Sequence, residues 1–357
     1  MKRKSIYLFA ALATATFSLS SCSNDDSAES VNSPAELKIT AEMYPAIEVN
    51  TRAAYNLQST SIYNNDYTKI GMYVWKTGAT AATTSAPVYS GYQNIQMTTG
   101  TQATPPDTYF TITKTGTSFF FPVDNSNVDV YLYAPYNSTA ADADMMTPYF
   151  TVADDQSTDA NYLASDFIYG KATAYYSTDK TANVTMYHAL SKIILKVVPV
   201  SGVTFSSLTN LKLTGVNRTT KIRMDNAPST SMTVGTNSTD HVDVATAATS
   251  TDVIVTDAST FNATTAASDG VAAIIPPQPL TSLGISCTID GKTATAVLTG
   301  LTYNDGTNPN AEISSFAPGK VYTITLSVKT GSLVVKLIAI QDWDSGNGNG
   351  STLDLTF

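Results

Sequence analysis

Apolar residues in this chain recur at every second position, in runs of five to eight broken by turn-forming residues, and that period is the signature of half-buried strands. In Val128–Ala134, Val128, Val130, Leu132 and Ala134 share one face, which predicts a core strand with Tyr131 and Tyr133 turned the other way. In Val321–Val328, Tyr322, Ile324, Leu326 and Val328 alternate with hydroxyl side chains. Ile285, Cys287 and Ile289 line one face of a strand that Asp290-Gly291 joins to Thr293–Leu298, a pair suited to a type I′ hairpin because both central positions need positive φ. Further strands are predicted at Ile70–Trp75, within Val88–Met97, at Asp166–Lys171, from Val184 and on through His188–Val197, at Leu208–Val216, at Val271–Ile275 before Pro276-Pro277, and at Leu333–Ile340. No long stretch repeats at 3.6 residues, so the fold class is all-β with few, short helices. At 357 residues the chain is long for one domain. The strand series predicts two β-sandwiches, over residues 37–182 and 183–357.

The segment Leu37–Arg52 precedes both series. Leu37, Ile39 and Ala41 alternate with Lys38, Thr40 and Glu42, Pro45 interrupts, and Ile47 and Val49 resume the pattern up to Arg52. Arg52 is the only basic residue between Lys38 and Lys69, which makes the Arg52–Ala53 bond a clear target for a trypsin-like protease. Cutting there would separate a strand at Leu37–Val49 from its domain and expose an apolar floor with unpaired backbone groups.

Charge and cysteines narrow the setting. Lys2, Arg3 and Lys4 precede an apolar stretch, Ile6–Leu19, and then Leu19-Ser20-Ser21-Cys22, the layout of a lipoprotein signal whose cysteine becomes the acylated first residue. Residues 22–36 read as a flexible tether. Without the three basic residues of the signal, 17 of the 20 Lys and Arg face 29 Asp and Glu, a net charge of −12. That sign argues against a nucleic-acid partner. Cys287 is then the only other cysteine, predicted to be a buried structural thiol.

Candidate chemistry is sparse. His188 and His241 lack ligands at metal-binding spacing, and neither a phosphate-binding glycine loop nor a G-x-S-x-G elbow occurs. Asp342–Gly350 places oxygen ligands as a calcium loop does but lacks the late acidic residue. No cofactor and no enzymatic activity are expected. The chain ends in Ser351–Phe357, with Leu353, Leu355 and Phe357 on one face behind a glycine-rich hinge, Gly346–Gly350. That is what a segment needs in order to leave one sheet and add to another.

Several pieces in order, Thr51-Arg52-Ala53, Lys69–Trp75, Val128–Pro135, Asp166–Lys171, His188–Ile193, Ile274–Pro277 and Ile340–Trp343, resemble the fimbrillin (Mfa-like) family of Bacteroidetes. Ser23-Asn24-Asp25-Asp26 resembles the signal that sends lipoproteins of that group to the outer face of the outer membrane. The resemblance implies a type V pilin built of two tandem transthyretin-like Greek-key β-sandwich domains. It would be held by outer-membrane lipid at Cys22, cut after Arg52 by an arginine-specific protease, and polymerised by strand exchange with other pilin subunits into an extracellular fimbria acting in surface adhesion. The strand-exchange residues would be Leu37, Ile39, Ile47 and Val49 on the departing strand and Leu353, Leu355 and Phe357 on the donor. The competing reading is a surface-anchored glycan-binding lipoprotein with Trp75, Trp343, Tyr131 or Tyr133 as stacking platforms. Exposed coplanar rings would favour it, and a removable first strand would favour the pilin.

Overall fold

The computed structural model describes residues 34–43, 69–78, 92–102, 109–138, 149–200, 202, 205–224, 234–235, 242–244, 251–254, 271–303, 308, 310–329 and 332–342. Its first elements are β1 (Glu36–Met43), β2 (Lys69–Lys76), β3 (Ile95–Gln102), β4 (Phe110–Thr113), β5 (Phe119–Phe120), β6 (Val128–Ala134), β7 (Tyr149–Thr151), α1 (Asp159–Ala164), β8 (Ile168–Ala174) and β9 (Thr181–His188). All these strands except β7 form one sheet in the order β4-β3-β2-β6-β8-β9-β1-β5, and a further pairing of β1 with β4 closes it into a circuit. Around the circuit neighbours run antiparallel, save for β1 and β9, which are parallel. The alternation of β1, β2 and β6 sends Leu37, Ile39, Ile70, Met72, Val130 and Leu132 into a single interior.

The remaining strands are β10 (Ser191–Pro199), β11 (Leu208–Val216), β12 (Thr219–Ile222), β13 (Val234–Gly235), β14 (Val242–Val244), β15 (Thr251–Ile254), β16 (Val271–Ile275), β17 (Gln278–Pro279), β18 (Gly284–Ile289), β19 (Lys292–Val297), β20 (Thr302–Tyr303), β21 (Ala311–Glu312), β22 (Ser315–Phe316), β23 (Lys320–Lys329) and β24 (Ser332–Asp342). Two four-stranded sheets, β16-β10-β23-β24 and β15-β11-β18-β19, share a second core in which Ile193, Leu195, Leu213, Ile285, Ile324 and Leu326 are buried. The β18–β19 hairpin turns as expected, with φ of 46° at Asp290 and 79° at Gly291. Burial raises the Cys287 thiol to about 11, in keeping with a packing role.

A third apolar layer joins the two. Tyr73, Trp75, Tyr131, Tyr133 and Tyr169, on the outer face of β2, β6 and β8, pack with Tyr162 and Leu163 of α1 and with Ile194, Ala272, Ile274 and Val321 from the C-terminal sheets. Tyr131 and Tyr133 are therefore buried and not turned to solvent, and β6 is covered on both faces. The Tyr133 ring lies across Gly71, its register partner on β2, where any Cβ would overlap it. Polar links reinforce the layer. The Gln156 amide pairs with the backbone of β16, accepting from Ile274 N at 2.8 Å and donating to Ile274 O at 2.7 Å. Strand β7 pairs with β12.

Two expectations need correction. The strand at Thr181–His188 belongs to the first circuit, on β8 and β1, so a division at 182/183 would cut through it. The series predicted from Val184 through Val197 is two strands in different sheets, β9 and β10. The chain breaks at Ala189-Leu190, where the His188 ring is tied back to Asp166 and Ala189 N bonds Phe167 O.

Candidate functional site: the seat of the first strand

Strand β1 is the closing member of the first circuit. One edge lies along β9, from Lys38 opposite Thr181 to Met43 opposite Met186. Among the described strands, its other edge is held at Glu36–Leu37 by β5 and at Thr40–Ala41 by β4. At the entry end a single bond adds to each edge, from Lys38 N to Lys180 O (3.0 Å) on the β9 side and from Phe121 N to Ala35 O (2.9 Å) on the β5 side. Outside, Thr40 Oγ1 donates to Asn183 Oδ1 at 2.7 Å and Thr185 Oγ1 to Glu42 Oε1 at 3.3 Å. Inside, Leu37, Ile39 and Ala41 are buried. Two large apolar side chains at about 1.5–3 kcal/mol each give about 5 kcal/mol of gross burial, an upper bound on what these contacts hold.

The flanks of β1 are incompletely filled. A groove of about 440 Å³ follows the β4/β5 side, lined by residues including Ile39, Tyr109, Ile112 and Phe119. A second of about 440 Å³ follows the β9 side, with Glu42, Asp179 and Asn183 on its wall. Among the described strands β5 pairs with β1 alone. Withdrawing β1 would thus uncover the β9 edge over six residues, leave β5 without its ladder, and open the floor made by Phe110, Phe119 and Val184.

Of the predicted strand-exchange residues, the structure brings Leu37 and Ile39 together in this seat. Cys22, Ile47, Val49, Arg52, Ala53, Leu353, Leu355 and Phe357 lie outside the described residues, as do His241, Trp343 and Gly346–Gly350. The β9 residues Asn183 and Thr185, which bond Thr40 and Glu42, and the floor residues Phe110 and Phe119 were not singled out from the sequence. Alternation marks their strands, but nothing in it reveals a parallel partner 143 residues away.

Other candidates are structural. His188 Nδ1 and the Asp166 carboxylate, 3.0 Å apart, are both buried, out of reach of a substrate. Asp155 accepts from Ser157 N at 2.9 Å, and Asp154 lies 3.9 Å from Arg218. Among the described residues no three His, Cys, Asp or Glu are placed to hold a metal ion. Trp75, Tyr131 and Tyr133 are sealed in the joining layer and cannot stack on a glycan, which removes these three platforms from the competing reading.

Residues 51–343 match the family model described as Fimbrillin-like. The chain belongs to the Fimbrillin-like family. Its match begins at Thr51, beyond the end of β1. A relative from Bacteroides uniformis named "Putative fimbrium subunit Fim1C" is 26% identical over 341 residues, 95% of each chain. Among solved structures, a "putative cell adhesion protein" from Bacteroides uniformis is similar with a TM-score of 0.57 at 16% identity, over 88% of this chain and 99% of that one. Another so described, from Bacteroides ovatus, has a TM-score of 0.56 at 15% identity, over 87% and 98%. These two likenesses show that the chain shares its all-β fold with those proteins.

Proposed function

We propose that the protein is a structural subunit of a surface fimbria, exported as a lipoprotein acylated at Cys22, cut after Arg52, and polymerised when a strand from another subunit takes the seat of β1. The observation that carries this reading is the position of β1. It closes the first strand circuit and lies on the N-terminal side of Arg52. One cut would then have two effects: it frees the subunit from outer-membrane lipid, and it leaves β1 held only by the non-covalent contacts of its seat. The names of the relatives, a fimbrium subunit and cell adhesion proteins, support a role in fimbriae and adhesion. The partners are other pilin subunits and an arginine-specific protease. In this reading the two cores correspond to tandem transthyretin-like domains, divided after His188.

Digestion of the full chain with an arginine-specific protease, followed by N-terminal sequencing, tests the first step. The expected product begins at Ala53 and shifts from monomer to ladder. Arg218 is a poor competing target, because its carbonyl accepts from Val152 N and its guanidinium donates to Val152 O, both at 3.0 Å. Cleavage first at Arg218 or Arg223 with the Arg52 bond intact would overturn the reading. Deleting Leu353–Phe357 should leave a folded, cleavable monomer that does not polymerise.

A further inference from the structure

We propose that the cleft on the outer face of β1 and β9 is a binding site for a neutral pyranose, the six-membered ring of a hexose. The site exists in the uncleaved chain and stands apart from the strand-exchange reading.

Strand register assembles the cleft. On the outer face, Thr40 pairs with Thr111 of β4 on one side and with Asn183 of β9 on the other. Tyr109 stands next to the Phe110–Ala41 pair and so comes level with Glu42. At the other end Thr181 is one row beyond Asn183, with Asp179 in the turn before β9. Rows on one face of a sheet are about 7 Å apart, so the cleft spans a length that a hexose ring with its hydroxyls covers. Its volume is about 440 Å³, within the roughly 300–1,000 Å³ of small-molecule sites.

The polar groups are already oriented. Thr40, on the floor of the cleft, is only 7% exposed, and its hydroxyl donates to Asn183 Oδ1 at 2.7 Å. That bond fixes the Asn183 amide, engaging its oxygen and leaving its NH2 group to donate to a ligand. Thr181 Oγ1 donates to Asp179 O at 3.2 Å, so towards a ligand it acts as an acceptor. Asp179 Oδ1 accepts from Thr181 N and Thr178 Oγ1, both at 3.3 Å, and among the described residues no donor reaches Oδ2. An amide donor, hydroxyl acceptors and a carboxylate oxygen are thus held before anything binds, which lowers the ordering cost of recognition.

These groups select the ligand. Each sugar hydroxyl both donates and accepts, and a carboxylate near an amide can serve neighbouring hydroxyls, its charge strengthening the bonds it accepts. The C–H face of the ring needs an apolar partner, which Tyr109 supplies. Charge disfavours acidic sugars, because Glu42 and Asp179 are in the wall and no lysine or arginine is among the described lining residues. Lys180, next to Asp179, has its ammonium over the Tyr176 ring, 5.3 Å from the centroid. Two carboxylates without a third His, Cys, Asp or Glu among the described residues favour hydroxyl groups over a metal ion. Thr40 and Glu42 come from β1, and Asp179, Thr181 and Asn183 from β9 and its turn. A bound sugar therefore bridges the two strands and stabilises β1 in its place.

Saturation-transfer NMR on the uncleaved full chain tests the site, with the methyl glycosides of glucose, galactose and mannose and with methyl glucuronide as probes. At least one neutral glycoside should bind saturably, and the glucuronide should bind about tenfold more weakly or not at all. Asn183→Ala and Tyr109→Ala should each weaken the binding by about tenfold, with unchanged tryptophan fluorescence as the check on folding. Amide exchange in β1 and β9 should slow on binding, while that in β18 stays as it was. The matching polysaccharide, dextran, galactan or mannan, identifies the source: tighter binding than to the glycoside places the ring within a longer chain, and equal binding makes it a free sugar or a chain end. Binding of none of the neutral glycosides, equal binding by Asn183→Ala and the parent chain, or binding lost in EDTA, the mark of a bridging cation, overturns the proposal.

Discussion

The two cores solve the problem of sheet edges in different ways. In the first, the sheet is closed into a circuit, and the member that closes it is β1, supplied from the N-terminal side of Arg52 and paired on one side to just four residues of β4 and β5. In the second, the sheets end in β16, β24, β15 and β19, and no described strand completes them. The edge of β16 is covered by the Gln156 amide, while that of β24 remains, with Val334 41% exposed. Closure removes edges that would otherwise template pairing. In the proposed reading, where cleavage after Arg52 detaches the closing strand, such a core would store a pairing site that becomes available only when the strand leaves. Among the described strands, those of the C-terminal core all follow Arg52, so in the same reading that core is the constant frame.

The largest expected effect sets the two regions against each other directly. Ile39→Asp would put a carboxylate into the first interior and should destabilise the protein by about 4 kcal/mol, or eject β1 after cleavage. Val334→Asp, on the open edge, should change stability by no more than about 0.5 kcal/mol. Urea midpoints followed by tryptophan fluorescence measure both. Equal losses would mean that β1 is no more a closing strand than β24.

Alkaline pH probes the joining layer and the C-terminal core with one chemistry. Burial raises the phenol of Tyr133, in the joining layer, and that of Tyr322, in the C-terminal core, each to about 12. A phenol that stays protonated in the fold but ionises near 10 when unfolded contributes stability below pH 10 that is lost as pH rises towards 12. At two pH units each, the loss is about 3 kcal/mol per residue. Tyr322→Phe and Tyr133→Phe should each remove about half of the decline. Tyr133→Phe also gives up the 2.6 Å bond to Asn94, so its variant starts lower and falls more slowly. A decline untouched by either change would place the alkaline loss elsewhere.

Much of the fold was readable from alternation. The inward faces of β1, β6, β18 and β23 and the positive-φ hairpin at Asp290-Gly291 follow from local pattern. What was not readable depends on partners far along the chain. Tyr131 and Tyr133 look like an outer face because the layer covering them comes from α1 and from β10, β16 and β23. The apolar run His188–Leu195 conceals the break at Ala189-Leu190, where the His188–Asp166 pair ends one strand and the next begins in another sheet. For the candidate site, the pattern of Leu37 and Ile39 marked the strand, but its parallel direction against β9 is a tertiary fact.

A smaller effect should separate the joining layer from either core. Gln156→Ala removes two bonds to the Ile274 backbone and leaves the buried edge of β16 unpaired, at a cost of about 2 kcal/mol. Because Gln156 lies on the first-core side of the chain and Ile274 in the second, the loss should loosen their union without emptying either interior. Hydrogen exchange at β16 is the readout: faster exchange at Ile274 with β6 unchanged is expected. Uniform acceleration throughout would mean that the layer is part of one indivisible core.

The smallest expected effect is a reaction that should not respond. Cys287 is buried in the C-terminal core, and burial holds its thiol at about 11, so at pH 8 both access and thiolate fraction suppress its reaction with a disulfide reagent until that core opens. Its labelling rate is thus a clock for the second core alone. Cleavage after Arg52 and withdrawal of β1 should expose the first interior while leaving the clock unchanged, because β1 contributes to the first core and to neither the second nor the joining layer. A marked rise in labelling on release of β1 would show that opening travels through the tyrosine layer, and the contrast between a detachable region and a constant one would then dissolve into a single cooperative unit.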